Sequence, residues 1–221
     1  MPNRIIEAYV GEYASGKSEN AVNRALFLAS CGHAVTLVDL DLVEPCFCLR
    51  PLRETVEKAG VTLLAFATED TFGLGEAGQT ILPAARFALM RQGDIILDIG
   101  YGIEGSKILN LLVGAEEDPD LQVILVVNTG RPMTDTAEKI ISYAQSLQRV
   151  DGILLNNHLA EETTEEFLLQ GVKIGEKAAA ALHVPIVGVS VAAEILPQCS
   201  KVKQLPYEIR PLQRVMPNAF W

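Results

Sequence analysis

Short apolar, β-branched runs alternate with longer stretches of helical period from one end of the chain to the other. The runs predict strands over Ile5 to Val10, Ala34 to Leu40, Val61 to Ala67, Asp94 to Ile99, Gln122 to Asn128, Gly152 to Asn156 and Pro185 to Val191. None alternates strictly between polar and apolar positions, the pattern of strands covered on both faces. Between them, Ala21, Val22, Ala25, Leu26 and Ala29 share one helical face, and Gly32 supplies the stop. A second helix buries Ala137, Ile140, Ile141, Ala144 and Leu147, with Thr134 as its expected cap. A third opens on Thr163 and Glu166 at capping-box spacing, and Gly171 and Gly175 are expected to break it in two. Residues from Thr68 to Thr80 are polar and glycine-rich, and from about 195 prolines punctuate a tail expected to form neither strand nor long helix. The whole implies a doubly wound α/β fold, a mainly parallel sheet with helices on both faces, in one domain over 1–221.

Ligands of such sheets bind beyond the carboxyl ends of the strands, which directs attention to four short stretches. The first strand runs into Gly11-Glu12-Tyr13-Ala14-Ser15-Gly16-Lys17-Ser18, a full G-x-x-x-x-G-K-[ST] match in its strand-loop-helix setting. Small residues let backbone N–H groups converge on phosphate oxygens, Lys17 reaches the β- and γ-phosphates, and Ser18 ligates Mg²⁺. Gly11 to Ser18, with Glu19 in the first helical turn, is the candidate nucleotide cradle. The second strand ends in Asp39 and Asp41, two apart and so on one face if the strand persists. Asp98 closes the strand Ile95-Ile96-Leu97-Asp98 as the expected magnesium-holding acid, ahead of Gly100 and Gly102. Asp94 begins that strand, lies at the opposite end and reads as structural.

In this order, the loop, "VDLD", "IILDIGYG", "GILLNN" and "VPIVGVSV" resemble the MinD/ParA-type P-loop ATPases, relatives of the nitrogenase iron protein, over roughly Arg4 to Glu194. The resemblance implies that Asp41 is the switch I acid near an attacking water, that Asp39 supports magnesium, that Gly102 is the switch II glycine and that Asn156 lies against the base. It also implies ATP with Mg²⁺ as cofactors and a homodimer as a possible assembly. Members usually carry a signature lysine after the first loop glycine, reaching a partner's nucleotide; here that residue is Glu12. An acid facing a triphosphate across an interface repels it, which argues against the usual sandwich dimer with lysine catalysis in trans. Either Glu12 points to solvent or to a basic partner in a slow ATPase working as a monomer or a different dimer, or Lys107 or Arg131 supplies the missing charge.

Charge and composition narrow the partners. With 28 acidic and 18 basic residues the formal net charge is −10, which argues against nucleic acid and an anionic membrane. No apolar run is long enough to span a bilayer, and Met1-Pro2-Asn3-Arg4 leads into a strand without a signal-peptide core, so a cytoplasmic protein is expected. Cys46 and Cys48 offer two sulfur ligands for a metal shared across a dimer, but no other cluster completes the set, and ordinary thiols are the simpler reading. His158 could reach a base or phosphate, though a lone histidine after a strand is more often a surface loop residue, and the absence of an Asn-Lys-x-Asp run after the sixth strand favours ATP over GTP. The function expected is a slow ATPase switch for a protein partner, whose Asp41 to Leu49 and Gly73 to Gly78 segments follow the nucleotide. A small-molecule kinase or synthetase, or a non-hydrolysing regulator, are the alternatives on the same fold.

Overall fold

The computed structural model describes residues 4–41, 49–66 and 81–216. Eight parallel strands form one sheet in the order β3-β2-β4-β1-β5-β6-β7-β8. They are β1 (Ile6–Gly11), β2 (Val35–Leu40), β3 (Val61–Leu64), β4 (Asp94–Ile99), β5 (Leu121–Val127), β6 (Gly152–Leu155), β7 (Ile186–Ala192) and β8 (Ile209–Leu212). Because all run one way, their carboxyl ends share one edge, and the order reverses at β1, where parallel sheets open a crevice.

Alternate side chains divide between two cores. Tyr9, Leu37 and Ile96 face helix α1 (Lys17–Ser30) and α2 (Arg53–Lys58), with Val22, Ala25 and Val56. Ile6, Ala8, Val38, Leu97 and Leu125 face the other side, against α3 (Pro83–Arg86), α5 (Ala137–Ser146) and α6 (Glu165–Leu182); a short α4 (Gly102–Ser106) follows β4. Both sheet faces are thus removed from water, as the unbroken apolar runs require. No described helix is long and apolar enough to cross a membrane.

Four expectations are corrected. The region after 195 does contribute a strand, β8, paired with β7 through Val189 and Ile209. Pro211 sits within it, tolerated because an edge strand has one side free of ladder bonds. The α5 cap is Thr136, which accepts from the Lys139 N–H, whereas Thr134 is fully buried and donates to the Asn128 carbonyl at 2.7 Å. Thr164 caps α6, while Thr163 closes the preceding turn by accepting from Leu159 N–H and donating to Ala160 O.

Nor do Gly171 and Gly175 break α6, which runs unbroken for 18 residues. Their missing side chains admit Asn157 and Leu155 of the neighbouring strand: an added Cβ would come within 2.2 Å of Asn157 Nδ2 and 2.4 Å of Leu155 Cδ2. Asn157 cannot yield easily, since its Oδ1 accepts from both the Thr129 N–H and hydroxyl. Gly171→Ala is therefore expected to lower stability by about 1–3 kcal/mol despite the better helix propensity of alanine, visible as a lower urea midpoint at unchanged slope.

Candidate functional site

The turn from β1 into α1 is held by its own backbone and by neighbouring strands. Ser15 N–H donates to Glu12 O at 3.2 Å, and Ala14 takes a left-handed φ of 53°, unusual for a residue with a Cβ. Gly16 has φ 89° and lies so close to Asn156 that a Cβ there would meet its amide nitrogen at 2.1 Å. Asn156 donates that amide to Ser15 O at 2.8 Å, and Asn20 donates to Gly16 O at 2.8 Å. No side chain caps α1, so the N–H groups of its first turn are left for another acceptor. Ser15 Oγ is also buried without a hydrogen-bond partner among the described residues.

Lys17 is buried and curls over the loop, its Nζ donating to Glu12 O at 3.1 Å. Tyr13 stands exposed at the mouth, its ring edge-on to Tyr101 with centroids 5.5 Å apart. Arg131 donates its Nε to Ala14 O at 3.2 Å, whereas Lys107 pairs on the surface with Glu104 at 2.6 Å. Of the two candidate cations, Arg131 is the one at the loop.

Register brings the acids together. Asp39 and Asp98 are direct neighbours across β2 and β4, and Tyr9 of β1 flanks Asp98. Asp39 accepts from Asp41 N–H at 3.2 Å and from Leu49 N–H at 2.9 Å. The strand ends at Leu40, so Asp41 joins the cluster through this turn and not through the two-residue strand spacing. Burial pushes the Asp39 carboxyl up to about 6, the two N–H donors working against it and the nearby Asp41 charge with it.

Asp98 is 1 % exposed, and neither carboxylate oxygen has a hydrogen bond among the described residues. Burial first, then the Asp39 and Asp41 charges, hold its carboxyl well above the ordinary carboxylate range. Ser18 and Lys17 lower it; the Ser18 hydroxyl stands close enough to favour the charged form without reaching regular hydrogen-bond geometry. Two carboxyl groups crowded together under burial, not a finished ion pair, are the chemistry of this cluster.

Two sequence-predicted residues, Glu19 and His158, sit differently from expectation. Glu19 turns away from the loop: it is buried, and its Oε1 accepts from the N–H groups of Val215 and Met216. Asn156 is engaged beneath the loop, its amide nitrogen donating to Ser15 O. His158 is buried, with Nδ1 accepting from Ala160 N–H at 2.9 Å, and burial lowers its pKa, as do Arg214 and Arg131. Asp94 is at the opposite end, accepting from Ile5 N–H and contacting His33. Gly102, with φ 76°, opens α4 just past β4. Cys46, Cys48 and the Gly73 to Gly78 and Thr68 to Thr80 segments lie outside the described residues.

Tyr143 was missed by the sequence reading, because a tyrosine on the buried face of an amphipathic helix looks like any core residue. Its hydroxyl lies by Glu12 and the Gly102 backbone, and burial together with the Glu12 charge raises its pKa.

Solved structures share this fold. Cell division protein FtsY from Thermotoga maritima superposes with TM-score 0.55 at 17% identity, over 87% of this chain and 63% of that one. Signal recognition particle receptor FtsY from Elizabethkingia anophelis in complex with GDP gives 0.60 at 18%, over 87% and 58%. The signal recognition particle 54 kDa protein of Aeropyrum pernix, also with GDP, gives 0.53 at 22%, over 84% and 41%. The fold is that of a P-loop NTPase. The chain spans less than two thirds of the length of these P-loop proteins, so their likeness carries the fold and no more. No protein-family model and no curated protein matches the chain.

Proposed function

We propose that the protein is a Mg²⁺-nucleotide-dependent switch with slow hydrolysis, acting on a protein partner. One observation carries the reading: an uncapped helix N-terminus and a buried lysine meet a buried carboxylate whose oxygens have no hydrogen bond among the described residues. That is what a phosphate chain with its metal completes, since the first-turn N–H groups have no side-chain cap and the Asp98 oxygens accept no hydrogen bond among the described residues. Lys17 and the first-turn N–H groups would hold the phosphates, and Ser18, Asp98 and Asp39 would hold Mg²⁺, directly or through water. When bound, the metal neutralises phosphate charge and polarises the oxygens. Asp41, whose N–H donates to Asp39, would orient a water, and Asn156 would keep the loop from opening by holding Ser15.

The purine is the open half of the reading. The missing Asn-Lys-x-Asp run supports ATP, whereas two of the structural relatives are complexes with GDP. Calorimetric titration of ATP and of GTP, each with Mg²⁺, into the full chain tests both halves. Saturable binding of one or both at micromolar concentration is the expected result, ATP the tighter; binding of neither removes the switch reading.

A further inference from the structure

Beside the loop lies an open groove of about 690 Å³ that reaches from Glu12 past Gly102 to α5. Glu12 lines it, and although Lys17 donates to the Glu12 carbonyl, the Glu12 carboxylate forms no ion pair within 4 Å among the described residues, whereas other charges on the rim are matched. Glu104 pairs with Lys107, and Lys139 is held by Asp135 and the Pro132 carbonyl. Next to Glu12 is the hydroxyl of Tyr143, a residue only 7 % exposed, whose oxygen is buried and has no partner at regular hydrogen-bond geometry. The walls are aromatic and apolar: Tyr101, braced edge-on by Tyr13, with Ile103 and Met133 43 % and 55 % exposed.

We propose that this corner is a docking socket for an arginine side chain of a basic partner protein. A carboxylate and a phenol oxygen offer several acceptors in one place, which a planar guanidinium with five donors satisfies and a lone ammonium does not. The Tyr101 ring offers a face or edge for the guanidinium plane, and Ile103 and Met133 offer cover for the aliphatic stem of arginine and its apolar neighbours. A second copy of this chain fits poorly: a two-fold contact here sets acid against acid between molecules of net charge −10. One carboxylate is also too few for a metal ion. The socket thus reverses the expected role of this loop position, receiving a cation where relatives by resemblance send one. The inference deepens the switch reading, on which it rests only in one respect: Gly102 borders the groove, so occupancy should change with nucleotide.

The test is fluorescence anisotropy of fluorescein-labelled hexa-arginine amide, with hexa-lysine amide for comparison, against the full chain at 0.15 M NaCl, with and without Mg-nucleotide. Expected is tighter binding of the arginine peptide, weakened at least about tenfold by Glu12→Gln and roughly threefold by Tyr143→Phe. Glu117→Gln, an exposed acid elsewhere, should change it less than about twofold. Matching melting curves show that the variants fold. Equal effects of Glu12→Gln and Glu117→Gln would mean attraction to the acidic surface as a whole and overturn the socket. So would a doubled mass by light scattering on mixing Glu12→Lys with wild type, which would assign the groove to a second copy. Loss of the Glu12 effect with nucleotide binding intact sinks the socket alone; a Glu12 effect that persists when no nucleotide binds sinks the switch and leaves the socket standing.

Discussion

Asp98→Asn is expected to make the ligand-free protein more stable at neutral pH while abolishing its response to Mg²⁺. The wild-type site holds two carboxyls side by side on β2 and β4, one with no hydrogen bond among the described residues. At pH 7 each costs stability, either as a buried charge or as a proton held where water would remove it. Asparagine keeps the shape, removes one charge and can donate to Asp39, so a gain of about 1–4 kcal/mol follows, roughly 2–4 °C in melting temperature for each kcal/mol. The pH dependence has a definite sign. Folded Asp39 titrates near 6 and Asp98 above the ordinary range, whereas the unfolded chain releases these protons near 4. The folded state therefore binds more protons across this window, and stability present below about pH 4 is lost as pH rises through about 6, by about 3 kcal/mol from Asp39 alone. Thermal melts of wild type and Asp98→Asn from pH 4 to 8 should converge at the acid end and separate toward neutrality. Saturating Mg-nucleotide should reverse the wild-type slope and leave the variant unmoved; parallel curves would show that Asp98 carries no such burden.

Lys17→Ala is expected to reduce nucleotide affinity by roughly 10²–10³-fold, the scale of a charge-assisted contact in a dry site. Lys17 is the buried cation at the loop, and it also lowers the Asp98 pKa, so its loss harms the site twice. The phosphates lose a counter-charge, and the carboxyl that would hold the metal becomes harder to ionise. Titration of Mg-ATP at pH 7 and pH 8.5 separates the contributions: the second is partly recovered at the higher pH, the first is not. Unchanged affinity would mean that the loop does not cradle phosphate.

The first seven strands were legible because two-sided burial forces continuous apolar runs, and a run such as Asp94 to Ile99 ends where its chemistry begins. β8 was hidden by Pro211, which denies a central strand but suits an edge, and by the prolines around it. The helix caps shifted by one or two residues because Thr134 and Thr163 had better uses in the loops beside them. Gly171 and Gly175 look like breakers to any local rule; their role exists only once Asn157 and Leu155 have been brought against them. The same holds at the site. Asp39 and Asp98 could be placed at strand ends by pattern, but that they share a register, and that Arg131 and not Lys107 reaches the loop, depends on strand order. Tyr143 beside Glu12 joins residues 131 positions apart, a pairing that no motif records.

The tie between Glu19 and the backbone of Val215 and Met216 bears on how the protein can be handled. Asn23 adds a two-way link to Gln213, and Asn20 accepts from Ser190, so three residues in the opening turns of α1 are moored to the last two strands or the stretch beyond them. Trimming the chain back from its end to just before Leu212, as one does to improve crystals, would strand a buried acid one residue from Ser18. Damage done at the far end of the polypeptide would then be read, mistakenly, as a defect of the loop.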